Sequence, residues 1–240
     1  MQGVGYDTLS SVNTRPLTAK PPPVAGPRQR RKQRTRASLL DAALRLLEDQ
    51  SFSGLSLREV ARGAGVVPSA FYRHFESMEE LGLSLIDESF RTLREMIRAA
   101  RTETAVPEHA IRRSVEVLVR HVHEHRLHFR FIARERHSGV AALRQAIRAE
   151  IRLFGSELAT DLARFPYLNR WSTEDLNMLA GLLVNAMVST AEAILDAPAD
   201  DPEAEREIVR TSEKQLRLIV LGVPAWKNEP NRNVPAARGE

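Results

Sequence analysis

The segment 56–75, SLREVARGAGVVPSAFYRHF, constrains this chain more than any other, because its pattern predicts two short helices joined by a glycine turn. Apolar residues within 57–64 recur at the i, i+3, i+4 and i+7 spacing of one helical face. Ser56 and Glu59 have the spacing of a capping box, which specifies where the first helix begins. Gly65 stands where that helix must end, a position that usually requires a left-handed backbone.

The second helix of this segment has the residues of a DNA-reading element. Pro68 suits its first position, since proline gives up an amide donor that would be unpaired there. Phe71 and Phe75 lie one turn apart and are predicted to face inward. The residues left facing outward are Ser69, Ala70, Arg73 and His74, with Tyr72 at the boundary. Small residues allow close approach to base edges and the polar ones reach phosphates, so the pattern indicates a helix-turn-helix. An ordinary helical hairpin with a solvated basic face is the alternative.

A basic stretch precedes the hairpin. Residues 28–36, RQRRKQRTR, contain six basic residues and no acidic one. Residues 1–36 hold eight of the 35 basic residues and one of the 31 acidic ones, so the rest of the chain has a net charge of −3. This position indicates contact with DNA phosphates or the minor groove. A solvated, disordered tail is the alternative.

Further helices are predicted on both sides of the hairpin. The apolar face of the one before it comprises Leu40, Ala43, Leu44 and Leu47. After the hairpin, Ser77 and Glu80 again have the spacing of a capping box and open a long helix. The apolar side of that long helix comprises Leu81, Leu85, Leu93 and Ile97. Three short helices followed by a long fourth form a specific arrangement.

This arrangement resembles the DNA-binding domain of TetR-family repressors over about residues 30–100, through the motifs LLDAALRLLED, LSLREVARGAGV, FYRHF and SMEELG. The resemblance implies phosphate contacts from Tyr72 and His74. It implies positions at or near the groove for Ser69, Ala70 and Arg73. Arg58 matches a position from which some family members reach a base.

The sequence departs from the family pattern in two places. Val67-Pro68 replaces the common serine cap of the recognition helix, so the capping hydroxyl is absent. Met78 stands where a lysine is frequent, which removes one phosphate contact. Neither departure threatens the fold.

The rest of the chain reads as helices, so we expect an all-α fold. It comprises an N-terminal three-helix helix-turn-helix domain and a C-terminal helical ligand-binding and dimerisation domain. We expect a disordered leader over 1–27 and the DNA-binding domain with its basic arm over 28–76. The helical regulatory and dimerisation domain is expected over 77–221, and a flexible tail over 222–240.

Two helices, Thr173–Leu195 and Asp201–Leu221, are predicted at the end of the body. Residues 176–195 approach the length of a transmembrane helix, but their polar side chains favour a buried helix, so no membrane partner is expected. In a symmetric homodimer the two helices would pack against their copies as a four-helix interface. Such a dimer would present two recognition helices to a palindromic operator in double-stranded DNA.

Composition and missing motifs exclude other classes of protein. The absence of cysteine excludes disulfides and thiolate metal sites, and without the apolar core of a secretory signal we expect a cytoplasmic protein. No nucleophile elbow, phosphate-binding glycine loop or HExxH motif is present, so neither an enzyme nor a bound cofactor is expected.

His121 and His125 have the i, i+4 spacing of metal ligands, with His123 and His128 nearby. We expect a solvated helix end there, where positive charge is favourable, and no metal site.

An apolar pocket in the helical body is expected to bind an effector, since helix bundles commonly bind ligands between their helices. The candidate lining residues are Phe90, Leu93, Phe129, Ile132, Phe154, Met178, Leu182 and Met187. Simple core packing is the alternative for each of them.

Residues from about 30 to 165 further resemble the repressors of unsaturated fatty-acid synthesis, the FabR/DesT group. The similar stretches are VPSAFYRHFESMEELGLSLIDES, HFRFIARERHSG and AALRQAIRAEI. The resemblance implies a long-chain acyl-CoA as the signal. Arg134 and Arg136 would then pair with phosphates of the CoA headgroup, with surface salt bridges as the alternative.

Two other functions stay open at this point. One is a repressor of efflux or catabolic genes that senses another hydrophobic compound. The other is a helical protein that binds small molecules and has no operator, which predicts no salt-dependent affinity for DNA.

Overall fold

The computed structural model describes residues 26–103, 110–198 and 200–227, of which 95–103 are described by their backbone alone. This part of the chain is helical and contains no strand, so the prediction of an all-α fold is confirmed. The helices are α1 (Pro27–Leu46), α2 (Leu57–Gly63), α3 (Pro68–Phe71), α4 (Met78–Glu103), α5 (Ala110–Glu124), α6 (Arg126–Glu135), α7 (Ala141–Leu162), α8 (Thr173–Asp196) and α9 (Pro202–Gly222).

The basic stretch 28–36 forms the first half of α1 and is not a separate arm. Pro27 occupies the first helical position, where its fixed φ is compatible with a helix, and arginine, lysine and glutamine are good helix formers. Most side chains of this stretch are exposed. Of the predicted leader, residues 1–25 lie outside the described residues, whereas its last residue is already helical.

The first residues of the predicted flexible tail, 222–240, are structured and continue from α9. A 3₁₀ turn at Val223–Ala225 follows directly on α9. The ring centroid of Trp226 then lies 6.4 Å from that of Trp171, so this side chain is held near the body. Residues 228–240 lie outside the described residues.

Apolar residues at helical spacing from Leu143 to Phe165 predict one long helix, but α7 stops at Leu162. The amide of Phe165 donates to the carbonyl of Leu162 in a tight turn. Phe165 also precedes Pro166, and a residue in that position is disfavoured in helical backbone. Its side chain is half exposed as a result.

One hydrophobic core, here called the shared core, joins the first three helices to the helices that follow them, called the body. Leu44, Val60 and Phe71 contribute from α1, α2 and α3. Phe131 of α6 and Ile147 of α7 are buried in the same cluster. The long helix α4 also contributes to this cluster. The first three helices therefore pack directly against the helices that follow them, along the boundary that separates the two predicted domains.

Helices α8 and α9 keep apolar side chains at the surface. Met178 and Leu182 are exposed on α8, and Leu218 and Leu221 are exposed on α9. Helix α8 is long and apolar enough to cross a membrane by length and composition alone, with 33% of its most apolar window buried. One such helix is a weak indication of a membrane, and α8 packs against α5, α6, α7 and α9.

The absence of a side chain at Gly82 of α4 allows two buried side chains, Phe52 and Leu143, to lie close to this helix. A Cβ atom at this position would lie 2.7 Å from Cζ of Phe52 and 3.1 Å from Cδ1 of Leu143. Phe52 begins the 3₁₀ turn Phe52–Gly54, which precedes α2. Both neighbouring side chains are buried, so neither lies at a surface to which it could move aside.

We expect Gly82→Ala to lower the free energy of unfolding by about 1–3 kcal/mol, the usual cost of overpacking, although alanine favours helices. Urea unfolding followed by circular dichroism measures the change. Gly155→Ala in α7 is the matched control, because a Cβ there meets no atom within 4 Å. It should be neutral or stabilising. Equal stability of the two variants would contradict the close packing at Gly82.

Candidate nucleic-acid interface

The start of α2 and the turn after it have the local structure that the sequence predicts. Ser56 N–H donates to Glu59 Oε2 (2.9 Å) and Glu59 N–H donates to Ser56 Oγ (3.3 Å), which completes the capping box. The Ser56 hydroxyl also donates to Glu59, and this bond, followed by the backbone one, holds the pKa of Glu59 below its ordinary value of 4.5. Gly65 has φ +67°, the left-handed conformation expected at the helix end.

The second predicted capping box, at the start of α4, is only half formed. Glu80 N–H donates to Ser77 Oγ (3.1 Å), as expected. The Glu80 carboxylate, however, accepts from Glu76 N–H instead of from Ser77 N–H. The beginning of α4 thus still has a side-chain cap, with its reciprocal bond displaced by one residue.

The recognition segment is formed by α3 and the turn that follows it. The helix predicted to reach Phe75 ends at Phe71, although Phe75 N–H still donates to Phe71 O (3.1 Å). Both rings are buried, with centroids 5.5 Å apart, so their inward orientation is confirmed. This pair fixes which side of residues 68–75 faces solvent.

We call residues 27–75, which comprise α1, α2 and α3, the head. The predicted DNA contacts lie on its outer side. The exposed members are Arg58, Ser69, Tyr72 and Arg73, and the half-buried ones are Ala70 and His74. Tyr72 is 64% exposed while the edge of its ring packs against Phe71, at 5.7 Å between centroids. A hydroxyl, a guanidinium and an imidazole within one turn suit phosphate binding. Contact of these residues with DNA stays a prediction.

Helix α1 adds positive charge beside this surface. Burial, followed by the charges of Lys32, Arg36 and Arg73, lowers the pKa of His74 below its ordinary value of 6.5. The guanidinium of Arg36 lies 4.9 Å from the ring centroid of Phe75, which holds it against the recognition segment. The sequence pattern predicts one basic arm and does not distinguish Lys32 and Arg36 within it. Their i, i+4 spacing places both on one helical face, and the contact of Arg36 with Phe75 shows that this face adjoins the recognition segment.

Arg134 of α6 caps the end of α1. Its guanidinium donates to the carbonyl oxygens of Leu47 (3.0 Å), Glu48 (3.2 Å) and Gln50 (2.7 Å). Carbonyls at the end of a helix lack partners within the helix and carry partial negative charge, so a guanidinium is a favourable cap. Arg136 instead pairs with Glu192 of α8 (3.0 Å). Both guanidinium groups thus have partners within the chain, and for Arg136 this is the salt bridge expected as the alternative. Their contact with CoA phosphates stays a prediction.

The neighbouring Glu135 makes a second contact with the same segment. Its side chain is completely buried and its Oε1 accepts from Phe52 N–H (2.9 Å). Its other carboxylate oxygen has no hydrogen-bond partner among the described residues. We call the contacts of Arg134 and Glu135 with residues 47–52 the head–body clamp, because they join α6 to the connection between α1 and α2.

The eight predicted pocket residues differ widely in burial, and their contact with an effector stays a prediction. Phe90 and Phe129 are buried, Leu93, Ile132, Phe154 and Met187 are partly buried, and Met178 and Leu182 are exposed. Leu93 packs against the shared core and also against a second cluster that includes Val122 of α5 and Phe129 of α6. It therefore lies where α4 meets two helices of the body.

A cavity of about 540 Å³ lies between α8 and α9. Its lining is partly polar and includes Thr190, Ile208 and Ser212. Thr190 Oγ1 donates to Ser212 Oγ (2.9 Å) across the two helices. None of the predicted pocket residues lines this cavity.

Both parts of the chain match known families. Residues 39–85 match the family described as bacterial regulatory proteins, tetR family. Residues 107–222 match the tetracyclin repressor-like C-terminal domain. Together the two matches cover more than half of the 240 residues.

Solved structures of several regulators share the fold. The fatty acid degradation regulator FadR from Bacillus halodurans is 14% identical, with 86% of this chain and 100% of that one covered and a TM-score of 0.62. FadR from Bacillus subtilis in complex with stearoyl-CoA is 15% identical, with 78% and 98% covered and a TM-score of 0.60. AibR in complex with isovaleryl coenzyme A and operator DNA is 18% identical, with 76% and 97% covered and a TM-score of 0.58.

We expect Arg73→Ala to weaken binding to any DNA duplex and to reduce the slope of log affinity against log salt by about 1, because one phosphate contact is lost. Fluorescence anisotropy titrations at several salt concentrations measure both quantities. Arg164→Ala is the matched control, since that arginine is also exposed but lies in the turn after α7, outside the assigned DNA surface. An unchanged slope for Arg73→Ala, or an equal change for Arg164→Ala, would count against the assigned surface.

We expect Arg134→Gln to lower the free energy of unfolding by about 1–3 kcal/mol, because three carbonyls lose a charged donor. DNA affinity should fall as well, since the clamp orients the head. Arg136→Gln breaks a contact confined to the body and should leave DNA affinity unchanged. Urea unfolding and anisotropy titration together distinguish the two variants. Equal DNA affinity for both would refute a role of the clamp in orienting the head.

Proposed function

We propose that this chain, which belongs to the TetR family of bacterial DNA-binding transcriptional regulators, represses genes of fatty-acid or lipid metabolism and responds to a long-chain acyl-CoA. Members of this family are regulators and not enzymes. The observation that carries the proposal is the head–body clamp, which links the exposed reading surface to a helix of the effector-binding body.

A homodimer on a palindromic operator is the form that we propose for DNA binding. Regulators of this family dimerise and bind operator DNA. The exposed apolar side chains Leu182 (50%) and Leu218 (73%) lie on α8 and α9, the two helices predicted to form the interface. Burying these side chains against a second copy would bring two recognition segments to positions about one turn of DNA apart, ~34 Å.

Two observations support acyl-CoA as the class of effector. The sequence resembles repressors of unsaturated fatty-acid synthesis over about residues 30–165. The fold is shared by a FadR solved with stearoyl-CoA and by AibR solved with isovaleryl coenzyme A. Arg134 and Arg136 have partners within the chain, so phosphates of a CoA headgroup would compete with these contacts for the two guanidinium groups.

Leu93 is the position at which we propose that the acyl chain enters. It lies between the shared core and the cluster of Val122 and Phe129, so a chain inserted there would separate α4 from α5 and α6. Helix α6 carries the clamp, and its displacement would move residues 47–52 and with them the head. The spacing between the two heads of a dimer would then no longer match the operator.

A repressor of efflux or catabolic genes is the second candidate. It shares the DNA-reading head and the dimer, and differs only in the compound that occupies the body. The cavity between α8 and α9 has a mostly apolar lining with a few hydroxyl groups, which is compatible with such a compound. The two candidates are separated by the response to acyl-CoA.

We expect palmitoyl-CoA and oleoyl-CoA to change the affinity for operator DNA, and to do so unequally, whereas CoA alone should not. The operator is first selected from a random duplex pool, and anisotropy then measures its binding with each compound. Leu93→Trp should abolish the response while DNA binding persists, because the indole fills the proposed entry.

Leu153→Trp is the matched control, since Leu153 is half exposed on α7 and lies outside both clusters. If neither acyl-CoA alters operator binding, the lipid role fails and the second candidate is favoured. If DNA affinity does not depend on salt, operator binding itself fails.

A further inference from the structure

Three side chains that bind metals well lie together at the end of α5. The ligating atoms of His121, Glu124 and His125 are all within 4.8 Å of one another. The sequence predicts a solvated helix end here, but His121 is only 13% exposed and His125 is half-buried. The cluster therefore differs from an ordinary exposed terminus.

The spacing of the three residues places them on one helical face. Positions i, i+3 and i+4 are neighbours on the surface of a helix. His121 Nδ1 lies 3.1 Å from Glu124 Oε2, and the rings of His121 and His125 stack with centroids 6.1 Å apart and planes at 27°. Ligand atoms around a tetrahedral Zn²⁺ lie about 3.4 Å apart, given bond lengths near 2.1 Å. Small changes in side-chain torsion would therefore bring all three atoms to coordinating distance.

The nearby histidines have other partners. His128 Nδ1 is hydrogen-bonded with Ser89 Oγ (2.9 Å), and His123 Nε2 with Glu205 Oε2 (2.7 Å). The His125 imidazole, in contrast, has ring contacts but no hydrogen bond within the described part of the chain. It is thus available to coordinate a metal.

We propose that His121, Glu124 and His125 form a binding site for a divalent transition metal of the zinc type. Two imidazoles and one carboxylate suit Zn²⁺, Co²⁺ or Ni²⁺, whereas Mg²⁺ and Ca²⁺ require oxygen ligands. Water completes the coordination, because only three protein ligands converge. His125 is also the residue directly before α6, so the bound ion fixes the joint between α5 and the helix that carries the clamp.

The test uses the full chain without a histidine tag and after removal of metal by a chelator. Isothermal titration with Zn²⁺ should show one ion bound per chain. His121→Gln, Glu124→Gln and His125→Gln should each weaken binding by more than about tenfold, which is the lower range for loss of even an outer-shell partner. His123→Gln is the matched control, since it lies on the same helix and outside the cluster, and it should bind as the unaltered chain does.

Circular dichroism verifies that each variant is folded. Glu124 is half exposed, so its replacement keeps the test decisive even if a histidine variant fails to fold. Binding of Co²⁺ should in addition produce a visible absorption band that Zn²⁺ displaces. Three results overturn the proposal: no stoichiometric Zn²⁺ binding, unchanged binding in Glu124→Gln and His125→Gln, or an equal loss in His123→Gln.

Discussion

The structure depends most on the hold of Arg134 and Glu135 on residues 47–52. A guanidinium satisfies three carbonyls where α1 ends, and a buried carboxylate accepts the amide of Phe52. Burying a carboxylate costs free energy, and Glu135 Oε2 has no partner among the described residues, so the bond from the Phe52 amide to Oε1 compensates for part of this cost. The two contacts therefore fix the direction in which α1 and α2 leave the body, and with it the direction of the recognition segment.

The clamp acts together with a core that does not stop at the domain boundary. The Glu135 carboxylate accepts from the backbone amide of Phe52, and the Phe52 ring lies against the bare backbone of Gly82, in the same buried cluster as Leu143. A movement of α6 or α7 would therefore also shift the Phe52 side chain, because close-packed interiors transmit displacement. A displacement in the body would reach the segment between α1 and α2 through this contact.

Local features of the sequence predicted the head well, whereas contacts between distant residues were missed. The capping box at Ser56, the left-handed Gly65 and the inward Phe71 each depend on residues within one turn, so their pattern is visible in the chain. Arg134 contacts carbonyls 84 to 87 residues away, and no periodicity records such a pairing. By composition, the sequence Arg134-Glu135-Arg136 is typical of a charged surface, and only the fold shows that Glu135 is buried. For the same reason the predicted pocket residues, chosen for being apolar, proved to include core and surface positions alike.

Hydrogen exchange at the amide of Phe52 tests the central claim most directly. If the clamp holds the head, this amide exchanges as slowly as those of the shared core, because its hydrogen bond to Glu135 breaks only when the head separates from the body. Glu135→Gln should keep much of this protection, and Glu135→Ala should remove it while α8 and α9 remain protected. Fast exchange of the Phe52 amide in the unaltered chain, at the rate of an exposed loop, would contradict the account.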